Sequence, residues 1–282
     1  MDLFALISIS ILVGVVVGFL SGTLGVGGGT IFVPVFKLGY DMTPLGATAT
    51  SLFTIIPTSI SGAIAHLKNR TCIPSLGLAA GLGGAATSWI GVWLATISPE
   101  WATMVAAALV LLYSASTMLT KAIKLQRKQH ASDESQDDRT EPSPLIDDAL
   151  TPHGFVCARK PQVITCACIG LAAGLMSGYV GVGGGFIMVP LMMQVVHLPM
   201  RLTSGTSLIA VMILAVPGTI TQALYGNVDW LAGCFVALGA IPGAMLGSSL
   251  IHKIPELALR YMFSCFLVVA ALLLVLDQLS IF

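Results

Sequence analysis

Charge is what this chain has least of: only 9% of its 282 residues are Asp, Glu, Lys or Arg, against about 25% in an ordinary soluble domain. So few charges cannot make a water-facing surface, which excludes a soluble globular protein. The 13 basic and 13 acidic residues cancel, so no net basic field points to nucleic acid. Cysteine is also scarce. The six thiols, Cys72, Cys157, Cys166, Cys168, Cys234 and Cys265, include no CxxC pair and accompany no His-rich spacing, so no metal and no other cofactor is expected. They read as small apolar packing residues.

Apolar side chains fill the chain instead, 56% by count, with a mean hydropathy of +0.92. Runs such as Leu3–Leu24, Trp101–Thr120 and Leu257–Leu276 hold at most an isolated charge or two. They approach the roughly 20 residues that an α-helix needs to cross hydrocarbon. The first run lacks a basic leader and a small-x-small cleavage site, so it is expected to stay in the mature structure. Several such runs make an all-α, polytopic membrane protein whose first partner is the lipid bilayer.

An internal repeat organises the runs. GVVVGFLSGTLGVGGGTIFVP (Gly14–Pro34) aligns without a gap on GLAAGLMSGYVGVGGGFIMVP (Gly170–Pro190), and the same offset pairs Thr50 with Thr206, Gly62 with Gly218, Gly83 with Gly239 and Pro99 with Pro255. Residues 1–123 form transmembrane repeat 1 and 161–282 form repeat 2. Between them, 124–160 is a polar cytoplasmic linker with no core to fold around. Each repeat is expected to be a glycine-interrupted helical hairpin, broken or re-entrant, plus three transmembrane helices: 3–38, 44–65, 75–97 and 101–123, then 162–197, 203–224, 231–251 and 257–277. Pro44, Pro74, Pro99, Pro199 and Pro255 mark the breaks.

Lys and Arg in short loops concentrate on the cytoplasmic side. Lys121, Lys124, Arg127 and Lys128 place the linker inside, together with Lys68, Arg70, Lys253 and Arg260, while Glu100 and Asn227–Asp229 fall outside. Both halves agree only if each glycine-interrupted segment returns to the side it started from, so the two repeats are expected to be inverted. Lys37, outside in that arrangement, is the one charge against it. No span centre carries Asp, Glu, Lys or Arg, so no proton relay is named and the coupling ion, H+ or Na+, stays open, as does the oligomeric state.

The chemistry-bearing motif is the glycine run. Gly25, Gly27, Gly28 and Gly29, and again Gly181, Gly183, Gly184 and Gly185, are poor helix formers that accept positive φ and present bare N–H groups. A short apolar helix follows each run, and glycine backbone at a helix N-terminus makes an anion cradle. Non-helical backbone at membrane depth survives only inside protein or against a polar cavity. Gly14, Gly18 and Gly22, with Gly170, Gly174 and Gly178, are spaced by four and suit close helix packing instead.

Thr50, Ser51, Thr206 and Ser207 follow early in the next spans, where a hydroxyl either donates to an oxyanion or bonds back to a helix carbonyl. His66, beside Lys68 and Arg70, reads as a solvated loop histidine; the alternative for it and its repeat mate Gln222 is a gate, proton carrier or ligand donor. Trp89, Trp93, Trp101 and Trp230 read as interface anchors.

The doubled pattern G-x2-G-x-GGG-x3-VP, each time followed by a Thr-Ser span, resembles the sulfite exporter TauE/SafE family of membrane permeases. That resemblance implies transport of sulfite, a sulfonate or a related small organic anion across the plasma membrane, and no enzyme activity. Related thiosulfate importers use recurring cysteines in their helices; no cysteine recurs between these two halves. Two other readings compete with a secondary transporter. One is a passive anion channel, and the other a membrane-embedded hydrolase with Ser21 or Ser177 as nucleophile and His66 as base.

Overall fold

In a computed structural model of the protein, residues 3–133 and 160–280 are described, and among them every regular element is helical. Repeat 1 gives α1 (Leu3–Leu24), α2 (Gly29–Pro34) continuing into a π-helical turn at Val35–Gly39, α3 (Pro44–Lys68), α4 (Pro74–Ile97) and α5 (Glu100–Asp133). Repeat 2 gives α6 (Lys160–Val180), α7 (Gly185–Leu191) with its own π-helical turn at Met192–Val196, α8 (Met200–Leu224), α9 (Trp230–Leu250) and α10 (Glu256–Ser280). Among the described residues, α1, α3, α4, α5, α6, α8 and α9 are long and apolar enough to cross a membrane. α5 runs past residue 123 into the segment expected to be linker; 134–159 of that segment lie outside the described residues.

Local signals set the helix ends. Gly25 (φ 76°) and Gly181 (φ 76°) stop α1 and α6 in the left-handed conformation, and their N–H groups donate to the Ser21 and Ser177 carbonyls at 2.8 and 2.7 Å. Gly28 (φ 84°) and Gly184 (φ 69°) then restart the chain as α2 and α7. Pro44 opens α3 behind Thr43, whose Oγ1 accepts the Gly46 N–H at 3.2 Å. Asp229 caps α9 by accepting the N–H groups of Leu231 and Ala232, both at 3.0 Å.

The two repeats cross-pack. α1 lies along α9 of the other repeat, so closely that a Cβ on Gly18 would stand 2.3 Å from the Ala240 carbonyl oxygen. The repeat-related seam joins α6 to α4, where a Cβ on Gly174 would stand 2.1 Å from the Gly84 oxygen. These glycines let backbones touch, as their four-residue spacing predicts. α3 and α8 pass antiparallel at the centre: Gly62 late in α3 meets Leu208 early in α8, and Gly218 late in α8 faces Leu52 early in α3. The N-termini of α3 and α8 therefore lie at opposite ends of the bundle.

Apolar packing includes a large cluster around Leu52, Ile55, Val211 and Leu214, a second that joins α5 and α10 to Leu24, Val26, Val182 and Phe186, and a small third around Ala63, Cys72, Leu208 and Ile209. The four tryptophans point outward, each more than half exposed. Lys37, which the loop charges place outside, is only 8% exposed and so is not a free loop charge.

Candidate functional site

The two glycine runs meet at mid-bundle, beside Ile55 of α3 and Val211 of α8. A Cβ on Gly29 would stand 2.2 Å from the Val182 oxygen, and one on Gly185 would stand 2.6 Å from the Val26 oxygen, so the runs touch backbone to backbone. Ile55 packs against three of them, at 3.3, 2.6 and 2.7 Å from the Cβ positions of Gly27, Gly29 and Gly183. Gly25 and Gly181 press instead on the first turns of the opposite span, against Ser204 and Thr48. The hydrogen bonds found in the runs include Gly185 N–H to the Gly183 carbonyl, but none uses the N–H of Gly27, Gly28, Gly183 or Gly184.

Around this junction lies a set of hydroxyls without partners. Ser21, Thr30, Ser51, Ser59 and Ser177 are each at most 1% exposed, and their oxygens make no hydrogen bond. Serine and threonine in apolar helices normally bond back to their own carbonyls, as Thr54, Thr58 and Ser204 do here at 2.9, 2.8 and 2.9 Å. Ser51 and Ser59 flank Ile55 one helical turn to either side, on the face that meets the glycines. A buried hydroxyl left unpaired costs about 1–3 kcal/mol, so five in one region form a set of donors that a polar ligand would satisfy.

The other expected site residues divide. Thr50 and Thr206 act as loop staples: Thr50 Oγ1 accepts the Asp229 N–H and Thr206 Oγ1 accepts the Ile73 N–H, both at 3.0 Å. Ser207 donates to the Gly25 carbonyl at 2.7 Å, whereas its repeat mate Ser51 makes no such bond. His66 is not a solvated loop histidine. It sits fully buried in the last turn of α3, Nε2 donating to the Gly22 carbonyl at 2.9 Å and Nδ1 paired with Thr71 Oγ1 at 2.7 Å. A carbonyl only accepts, so Nε2 carries a proton. Gln222 repeats the arrangement with Asn227 in place of Thr71, at 2.8 Å, but its amide nitrogen has no partner.

Thr30 and Ser59 were not among the residues that the sequence singled out. Ser59 carried a signal, since eight residues from Ser51 is the same helix face. Thr30 carried none, because its repeat mate is Phe186. Neither Ser21 nor Ser177 is bonded to a base, so no nucleophile–base pair is present at the glycine runs.

Fold and site together define a multi-pass helical membrane protein of two cross-packed repeats with paired glycine breaks at mid-bundle. A family model described as sulfite exporter TauE/SafE matches residues 10–274, and the chain belongs to that family. It is similar to the probable membrane transporter protein YunE of Bacillus subtilis, 29% identical with 86% of each chain covered. It is also similar to the probable membrane transporter protein YdhB of the same organism, 26% identical over 89% of this chain and 92% of the relative. A probable membrane transporter protein of Methanocaldococcus jannaschii is 23% identical over 96% of both chains. No solved structure matches the chain. This is a membrane transporter.

Proposed function

We propose that the protein is a secondary permease of the plasma membrane, not an enzyme, that carries a small anion such as sulfite or a sulfonate by alternating access. The observation that supports this most is the junction of the two glycine runs, with unused backbone N–H groups and five unpartnered hydroxyls around it. An oxyanion takes several such donors at once and needs no lysine stranded in lipid. The antiparallel passage of α3 and α8 supports inverted repeats, each bringing its run to mid-membrane from its own face. In this conformation the junction is closed, so the anion would part the runs to bind. Substrate-binding roles fall to Gly25, Gly27, Gly28, Gly29, Ser51, Gly181, Gly183, Gly184, Gly185 and Ser207, with Thr50 and Thr206 bracing the spans and His66 and Gln222 at the span ends.

The test is flux of labelled sulfite, sulfonates and carboxylates in vesicles holding the purified protein, with and without imposed H+ and Na+ gradients. Uphill movement of one anion class driven by a gradient is expected. Movement that only ever follows the anion's own gradient would make the protein a passive channel, and no movement of any anion would end the reading.

A further inference from the structure

The repeat supplies each residue with an internal control, and at the two ends of the bundle the controls disagree. Next to the first turn of α3 lies a cavity of about 110 Å³, lined by Pro44, Leu45, Thr48, Ser98 and Tyr179 among others. Thr48 also packs on Gly181, so the cavity reaches the tip of the second glycine run. The residues at the repeat-related positions of Leu45 and Ser98 are Arg201 and Ile254. There, at the other end of the bundle, the Arg201 guanidinium donates to the Ile254 carbonyl at 2.9 Å, tying the start of α8 to the turn before α10.

Deeper in, the same inequality recurs. Ser207 holds the Gly25 carbonyl at 2.7 Å, while Ser51 leaves the Gly181 end unbonded. One end is open at its mouth and unclasped at its glycine tip; the other is clasped at both. Leu45 cannot make the bond that Arg201 makes, so the difference is written into the sequence as well as the conformation.

We propose that the cavity at Thr48, Ser98 and Tyr179 is the entrance at which the transported oxyanion first lodges, and that Arg201 is the latch that closes the opposite mouth. This rests on the permease reading. Arg201 also suits an oxyanion once its mouth opens. Its Nε is buried without a partner, and a guanidinium fork on an oxyanion makes two charge-assisted bonds in place of one to a neutral carbonyl.

The probe is a membrane-impermeant thiosulfonate, applied from either face to a version whose only native thiol is Cys72. Cys72 is 2% exposed and burial pushes its thiol up to about 11, so it stays silent. Ser98→Cys should react from one face only, and modification should cut sulfite or sulfonate flux at least about tenfold relative to the same variant before modification, since the group fills the cavity. Ile254→Cys should react slowly and from the other face. Adding Arg201→Leu, the residue at the related position, should speed its reaction by about tenfold or more, the scale of one lost bond to a charged group. If Arg201→Leu fails to insert, Arg201→Lys makes the same comparison with a smaller increase.

Unchanged flux after modification of Ser98→Cys, or equal reactivity of Ser98→Cys and Ile254→Cys with Arg201 in place, would overturn the proposal. The labelling rates need no substrate. A protein that moves no anion therefore defeats the permease reading separately, while the rates still decide whether the two mouths differ.

Discussion

Two kinds of glycine hold this molecule together, and they differ in what surrounds them. Gly14, Gly18 and Gly22 sit in regular helix, four residues apart, each with its Cβ position 2.2–2.3 Å from a carbonyl oxygen of α9. Gly25, Gly27 and Gly28 have φ of 76°, 82° and 84°, follow one another almost without interruption, and lie among unpartnered hydroxyls. Both sets are tightly packed, so packing alone does not separate them. What separates them is the backbone: the seam glycines sit within regular helix, whereas Gly27 and Gly28 of the run leave their N–H groups unused.

The largest expected effect is at the seam. Gly174→Val would drive three carbon atoms into the Gly84 backbone, where even a Cβ stands 2.1 Å from the oxygen and 2.5 Å from Cα. Helices α4 and α6 must then separate. Overpacking typically costs about 1–3 kcal/mol and more against rigid backbone, so folded protein should be nearly lost in fluorescence size-exclusion traces. Normal yield and melting temperature would show that the seam is loose and the distinction false.

Next comes the run. Gly28→Ala meets only the far end of the Phe32 ring, at 2.7 Å, but must hold φ 84°, which costs roughly 1–2 kcal/mol. It should still insert, with a moderately lower melting temperature, and lose about ten- to a hundredfold in anion affinity if the Gly28 N–H serves the ligand. Gly184→Ala should behave alike. Stabilisation by ligand reads affinity without flux, and unchanged stabilisation would reduce the runs to packing devices.

Much of this was legible beforehand, because hydrophobic run length, glycine breaks and proline stops are properties of the chain itself. The repeat, the helical segments and the positive φ values of the glycine runs all follow from residues read in order. Which helix faces which does not. Four-residue glycine spacing announces a close neighbour for α1 but does not say that the neighbour is α9 of the other repeat. His66 shows the same limit: Lys68 and Arg70 point to water around it, whereas the Gly22 carbonyl that takes its proton comes from 44 residues away. The unused hydroxyls of Thr30 and Ser59 are visible only once every neighbour is in place.

The smallest expected effect on the fold is also the sharpest for the comparison. Ser59→Ala removes a hydroxyl that is fully buried and makes no hydrogen bond, so the folded protein loses no bond and sheds a desolvation cost. Its melting temperature should stay level or rise by a degree or two, since about 1 kcal/mol shifts a chain of this size by about 2–4 °C. Thr50→Val, by contrast, deprives the Asp229 N–H of its acceptor at 3.0 Å and should lower the melting temperature by a similar amount with ligand affinity little changed. If the Ser59 hydroxyl waits for the anion, Ser59→Ala lowers affinity several-fold while the apo protein gains stability, a combination that neither a packing residue nor a helix staple produces. A loss of stability with unchanged affinity would place Ser59 with Thr50, among the bonds that hold the bundle.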